Sequence, residues 1–246
     1  MNKNDSEIAA LIADLDHPDK PTIRVAVDAL ISLASASPDF QSILHQRLTE
    51  SGHRNYWPAA YVLGHLPRPS TVVIQTLIEA LDHREPDIRW AIALLLVRIA
   101  KTENELLNVL VALCATGTTN QKRMALYCIR DLALSDSMSL AALLEALRDA
   151  DPTVRVAAAI CLKLRPDLDD AGKTRLLKVY LKDEELKVRN TAAVALAHFG
   201  SPSAEFLAAL NTASESANDQ TKRAALAALE LLEKRRSASS GSSRDR

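Results

Sequence analysis

TVRVAAAICL at residues 153–162 and KVRNTAAVAL at residues 187–196 follow one pattern: an apolar residue, an Arg, then an Ala-rich stretch ending on a Leu seven positions after the Arg. Looser copies surround Arg24 (TIRVAVDALI), Arg89 (DIRWAIALLL), Arg123 (QKRMALYCIR) and Arg223 (TKRAALAALE). A seventh centres on Tyr56 (NYWPAAYVLG), where Tyr replaces the Arg. From Arg24 onward, through Tyr56, 89, 123, 155, 189 and 223, the intervals are 32, 33, 34, 32, 34 and 34. A period held this closely marks a stacked repeat, in which each unit buries its apolar face only against its neighbours.

Upstream of each copy lies a second apolar series at helical spacing, such as Ile74, Leu77, Ile78 and Leu81 or Leu140, Leu143, Leu144 and Leu147. Each repeat is therefore a helix pair. Pro38, Pro67, Pro69, Pro166 and Pro202 fall just after the second helices, where the chain must turn. Asp19, Asn55, Asp87, Asp151 and Asp219 fall just before them, as N-caps or first-turn acids favoured by the helix dipole. The fold expected is all-α, a right-handed α-solenoid (α-α superhelix) of about seven helix pairs over residues 1–234. Its second helices start near residues 24, 56, 89, 123, 155, 189 and 223. Residues 235–246, RRSASSGSSRDR, hold no apolar residue larger than Ala and are expected to be disordered.

The composition agrees: 48% hydrophobic residues dominated by Ala and Leu, with only 6 Gly, favours helix. Thirty Lys and Arg against 31 Asp and Glu leave a formal charge of -1, which gives no bulk attraction to nucleic acid or anionic lipid. The longest apolar run, WAIALLLV at 90–97, is far short of the roughly 20 residues that span a bilayer. The N-terminal stretch has no signal-type apolar core. Cys114, Cys128 and Cys161 are odd in number and widely spaced, as expected of small buried residues in a reducing compartment, and a cytoplasmic location is expected.

The Thr-Pro-Leu-His signature of ankyrin repeats is absent, and so is the Trp, Leu-Gly and Tyr pattern of TPR units. An acidic or Pro-containing turn followed by Val-Arg and an Ala-rich helix resembles HEAT repeats, in particular the short form of phycobilisome-lyase-like proteins, over about residues 6–234. The resemblance implies that the repeated Arg pairs with an acidic residue about six positions earlier, in its own or a neighbouring turn. Asp149 before Arg155 and Asp183 before Arg189 fit this, whereas Gly117 and Ala217 do not.

No chemistry is written in local motifs. The six His form no paired helical metal motif, no metal or cofactor is expected, and neither a phosphate loop nor a Gly-x-Ser-x-Gly elbow occurs. There is no His-Glu dipeptide, on which the iron of deoxyhypusine hydroxylase, a metalloenzyme of similar repeats, depends. The candidate binding residues come from helix geometry. The position after each repeated Arg, with those three or four and seven further on, shares one face. In repeats two to four this gathers Tyr56, Trp57, Tyr61, Trp90, Met124, Tyr127 and Asp131.

Two readings of these residues stay open: an exposed aromatic patch that anchors a partner, or packing between repeats. Arg98, Arg130, Lys163 and Arg165 are candidates for a basic stripe. The function expected is that of a non-enzymatic scaffold, monomeric when free, whose concave surface holds another protein. A HEAT-like alkylpurine glycosylase-type repair protein and a bilin lyase-like subunit are the alternatives the resemblance leaves.

Overall fold

The computed structural model describes residues 3–36, 38–49, 56–133, 136–200 and 202–241. All regular structure among them is helical. The first helices of seven pairs are α1 (Lys3–Asp14), α3 (Pro38–Thr49), α5 (Thr71–Ala80), α7 (Glu105–Thr116), α9 (Ser137–Ala146), α11 (Asp170–Lys182) and α13 (Ala204–Ser214). The second helices are α2 (Lys20–Ala36), α4 (Trp57–Gly64), α6 (Pro86–Ala100), α8 (Thr119–Leu132), α10 (Pro152–Leu162), α12 (Leu186–His198) and α14 (Asp219–Gly241). α14 runs to Gly241, past the boundary expected at residue 235. Residues 242–246, the end of the expected tail, lie outside the described residues, as does the cap expected at Asn55.

The chain divides into two compact units, Met1–Val109 and Leu110–Arg246, with the boundary inside α7. In the first unit α2 packs on α4 and α4 on α6, each against its own first helix. In the second, α8, α10, α12 and α14 pack in series, with α9, α11 and α13 lying against α10, α12 and α14. The alanines explain the series. Ala59, Ala60, Ala125, Ala157, Ala158, Ala192 and Ala195 are fully buried, so their second helices approach closely. Leu30, Leu63, Leu96, Ile129 and Leu162, six or seven positions past the repeated residue, fill the layers between.

Caps fix the helix starts. Thr118 and Gln121 form a reciprocal capping box at α8, and Asp151 accepts from the Thr153 amide at α10. The start of α4 is set differently. Pro58 sits at its second residue, where proline is tolerated because an opening turn has no amide bond to lose. α2 begins four residues before Arg24 and α6 three before Arg89, whereas α4 begins one residue after Tyr56. It is only 8 residues long, against 17 and 15 for its neighbours.

The repeated Arg works through the backbone. Nη1 of Arg89 donates to the carbonyls of His83 and Arg84, that of Arg155 to Asp149 and Ala150, and that of Arg189 to Asp183 and Glu184. The partner six positions earlier thus accepts by its carbonyl, and its side chain is free to vary. Where that side chain is a carboxylate it takes a cation from the preceding repeat: Lys122 Nζ donates to Asp149 at 2.7 Å, and Arg155 donates to Asp183. These bonds satisfy turn carbonyls that neither helix of a pair can reach.

Candidate functional site

A cleft of about 540 Å³ in the first unit is walled by Lys20, Arg24 and Asp28 of α2 and by Asp87, Ile88 and Ala91 of α6. Trp57 and Tyr61 of α4 line it as well. Lys20 of α2 donates to Glu85, the N-cap residue of α6, at 2.8 Å and to Asp87 of α6 at 3.1 Å.

An aromatic row runs along α4 at helical spacing. Trp57 meets Tyr61 edge to face at 6.4 Å between centroids, and Tyr61 lies 4.7 Å from His65. His83 closes on Trp57 from the next turn at 6.0 Å. The Trp57 Nε1 is buried and has no hydrogen-bond partner among the described residues. His65 Nδ1 must donate to the Tyr61 carbonyl at 2.9 Å, since a carbonyl only accepts.

Electrostatics keep this row neutral. Burial pushes the Tyr61 phenol up, reinforced by Asp28 and opposed by Arg98 and Arg24. Burial pushes His65 down, against the pull of its bond to Tyr61, and burial also pushes His83 down. The cleft therefore offers neutral, half-buried rings framed by charges of both signs.

Of the residues expected from sequence, Trp57 and Tyr61 line the cleft and Tyr56 caps α4. Trp90 is 39% exposed, beside the cleft-lining Ala91, with Leu94 59% exposed one turn further along α6. Met124 is a correction: it is 4% exposed, in the core of the second unit. On α8 the buried face holds Met124, Ala125, Cys128 and Ile129, so the open face passes through Arg123, Tyr127 and Asp131. One position of register turns a side chain by about 100°. The flexible thioether is suited to filling a core space of irregular shape.

Tyr127 lies under the Arg130 guanidinium, 5.0 Å from its ring centre, and Arg130 pairs with Asp131 at 2.6 Å. Of the expected basic stripe, Arg98, Arg130 and Arg165 bond within the protein. Arg98 donates to the Gly64 carbonyl at the end of α4, and Arg165 is buried against Asp167 and the Asp136 carbonyl. Lys163 is the C-cap residue of α10. Among the described residues no group of three His, Cys, Asp or Glu is placed to hold a metal ion, and no helix is long and apolar enough to cross a membrane.

Sequence reasoning missed Lys20, Arg24, Asp28 and the two histidines as parts of one site, because they lie on separate helices and turns that only the fold brings together.

Residues 140–230 match the family model of HEAT repeats. No curated protein matches the sequence significantly. Among solved structures, the fold is similar to a designed armadillo repeat protein in complex with a (KR)4 peptide, at 19% identity over 92% of this chain and 99% of that one, with a TM-score of 0.46. Human deoxyhypusine hydroxylase in complex with glycerol is similar at 16% identity over 93% and 96%, with a TM-score of 0.38. The complex of CpcE and CpcF of phycocyanin lyase from a Nostoc species is similar at 19% identity over 92% and 94%, with a TM-score of 0.36. The helix pairs of residues 140–230 thus match HEAT repeats, and the described residues form an all-α repeat array of seven helix pairs.

Proposed function

We propose that this chain is a non-enzymatic binding scaffold that holds a segment of another protein in the cleft between α2, α4 and α6. The observation that carries this reading is the cleft itself, lined by the half-buried Trp57 and Tyr61 between charged walls, with the exposed Trp90 and Leu94 on α6, the helix that forms one wall. Half-buried aromatic side chains in a recess, ringed by polar groups, are what anchors at protein interfaces look like. The mixed rim suits a polypeptide better than a phosphate backbone, which needs cations in excess.

Two features that the lyase and glycosylase alternatives would use are engaged otherwise. All three thiols are buried, that of Cys114 pushed up to about 12 by burial, so none is poised as a nucleophile. Asp131, which a glycosylase reading would need as a free carboxylate, is paired with Arg130.

The test is affinity capture from native lysate with wild type beside the double variant Trp57→Ala, Trp90→Ala, both checked for fold by circular dichroism. A protein retained by wild type and lost from a folded double variant is the expected result. Retention of the same proteins in both lanes overturns the assignment of the cleft.

A further inference from the structure

We propose that the second unit carries a separate docking groove, between α9 and α11, for a short acidic segment of a partner protein that also carries apolar side chains. The groove has a volume of about 490 Å³ and is lined by Arg148, Arg175, Lys178 and Lys182 over an apolar base of Leu144, Leu147 and Val179. It lies on the first-helix side of the second unit and shares no residue with the cleft of the first.

The cations are placed by helical period. Arg175, Lys178 and Lys182 stand at i, i+3 and i+7 of α11, on one face and spread over about 10 Å of its axis. Arg148 faces them from the turn after α9.

Their charges are not spent inside the protein. Arg175, Lys178 and Lys182 have no ion-pair partner among the described residues, whereas Arg155 and Lys122 of the same unit are paired with Asp183 and Asp149. Arg148 has one exposed pair, with Glu145 at 3.4 Å. The single carboxylate in the lining, Asp183, is held by Arg155. Lys182 has an ordinary reason to be where it is, since a cation in the last turn of a helix complements the dipole. Arg175 and Lys178 lie further from that end.

Charge complementarity names the occupant. In a chain of formal charge -1, local concentration of four cations around a recess calls for an acidic ligand. The base of Leu144, Leu147 and Val179 adds a requirement that a phosphate backbone does not meet: side chains that gain by leaving water. An acidic polypeptide with interleaved Leu, Ile or Phe satisfies both.

The experiment is selection of a displayed random-peptide library on the immobilised full-length chain, with counter-selection on the triple variant Arg175→Glu, Lys178→Glu, Lys182→Glu. Survivors are then synthesised with a fluorescent label and titrated by anisotropy. Enriched peptides should be rich in Asp and Glu with interleaved apolar residues. They should bind the triple variant about tenfold more weakly or worse, and bind Trp57→Ala unchanged. The milder variant Arg175→Gln, Lys178→Gln, which keeps good helix formers, should show the same direction of loss and guards against a folding defect in the triple variant.

No enrichment over the naive library, survivors without acidic residues, or unchanged affinity for both variants overturns the proposal. A single-stranded oligonucleotide that binds wild type more tightly than the best peptide, and loses that binding in the triple variant, overturns it in favour of nucleic acid. Each of these outcomes leaves the cleft of the first unit untouched.

Discussion

The guanidinium of Arg155 holds the carboxylate of Asp183, one repeat further on, through two parallel hydrogen bonds: Nε at 2.8 Å and Nη2 at 2.9 Å. Its remaining Nη1 secures two carbonyls of its own turn. One side chain thus ties its own helix pair shut and fastens the next pair to it. Both partners are largely withdrawn from water, at 14% and 7% side-chain exposure, so the pair escapes most of the screening that makes surface ion pairs weak.

Arg155→Ala should therefore cost about 1–3 kcal/mol in urea denaturation, since it leaves a buried carboxylate with only the Glu185 amide as donor and removes the Arg bonds to two turn carbonyls. Arg155→Lys should recover only part of this, because an ammonium cannot serve three acceptors in fork geometry. A double-mutant cycle with Asp183→Ala should show a coupling of about 1 kcal/mol or more, and additivity would remove the tie between repeats. Burial alone would raise the Asp183 carboxyl. The Arg155 bonds, the Glu185 amide and the charges of Arg155 and Arg189 outweigh it and hold the group below its usual 3.8. This contribution is present above about pH 4 and is lost as the pH falls through the folded value.

Trp57 separates size from polarity. Trp57→Phe should leave stability nearly unchanged or slightly higher, because the indole N–H it removes is buried without a partner among the described residues. Trp57→Ala should cost about 1–3 kcal/mol, as the ring also supports Tyr61 and His83. Thermal unfolding of the two variants beside wild type decides this. A large loss in Trp57→Phe would show that the N–H is bonded in solution.

His65 and His83 are both held below the usual 6.5 by burial, so the unfolded chain binds protons before the folded one does. Stability should be full above about pH 6.5 and should fall as the pH drops from there towards the folded values. Melting temperatures followed from about pH 8 to about pH 5 should decline in wild type and decline less in His65→Asn. An equal decline would assign the dependence elsewhere.

The thiols provide a readout of opening. Cys114, Cys128 and Cys161 are buried, and burial pushes all three up, Cys114 to about 12. Native protein at about pH 8 should resist a thiol reagent, and all three should react once denatured. Rapid labelling of any one of them in the native state would place it at the surface.

The repeat could be read from sequence because its signal is local and redundant: an Ala-rich helix led by an Arg in six copies and by Tyr56 in a seventh, and closed by a Leu seven positions on in four of them. Each copy corrects errors in the others. Position on a helix face has no such redundancy, and Met124 shows the result. Its neighbours in the column, Trp57 and Trp90, are partly open, but the packing of α8 turns position 124 inward. The role of the repeated Arg was legible as a residue and not as a bond, since a carbonyl acceptor leaves no trace in the identity of the residue that carries it. The cleft was out of reach for a different reason. Its lining comes from three helices, α2, α4 and α6, and no local pattern records their meeting.

A bond between two of these helices also alters how the energy of the first unit is counted. Linear repeat arrays are commonly treated as beads on a string, with energy terms within each bead and between adjacent beads alone. Lys20, in the first pair, bonds Glu85 and Asp87 in the third, skipping the second. A next-nearest term therefore enters the energy function for these three pairs, a small one because the charges are exposed, and it has no counterpart in a uniform array.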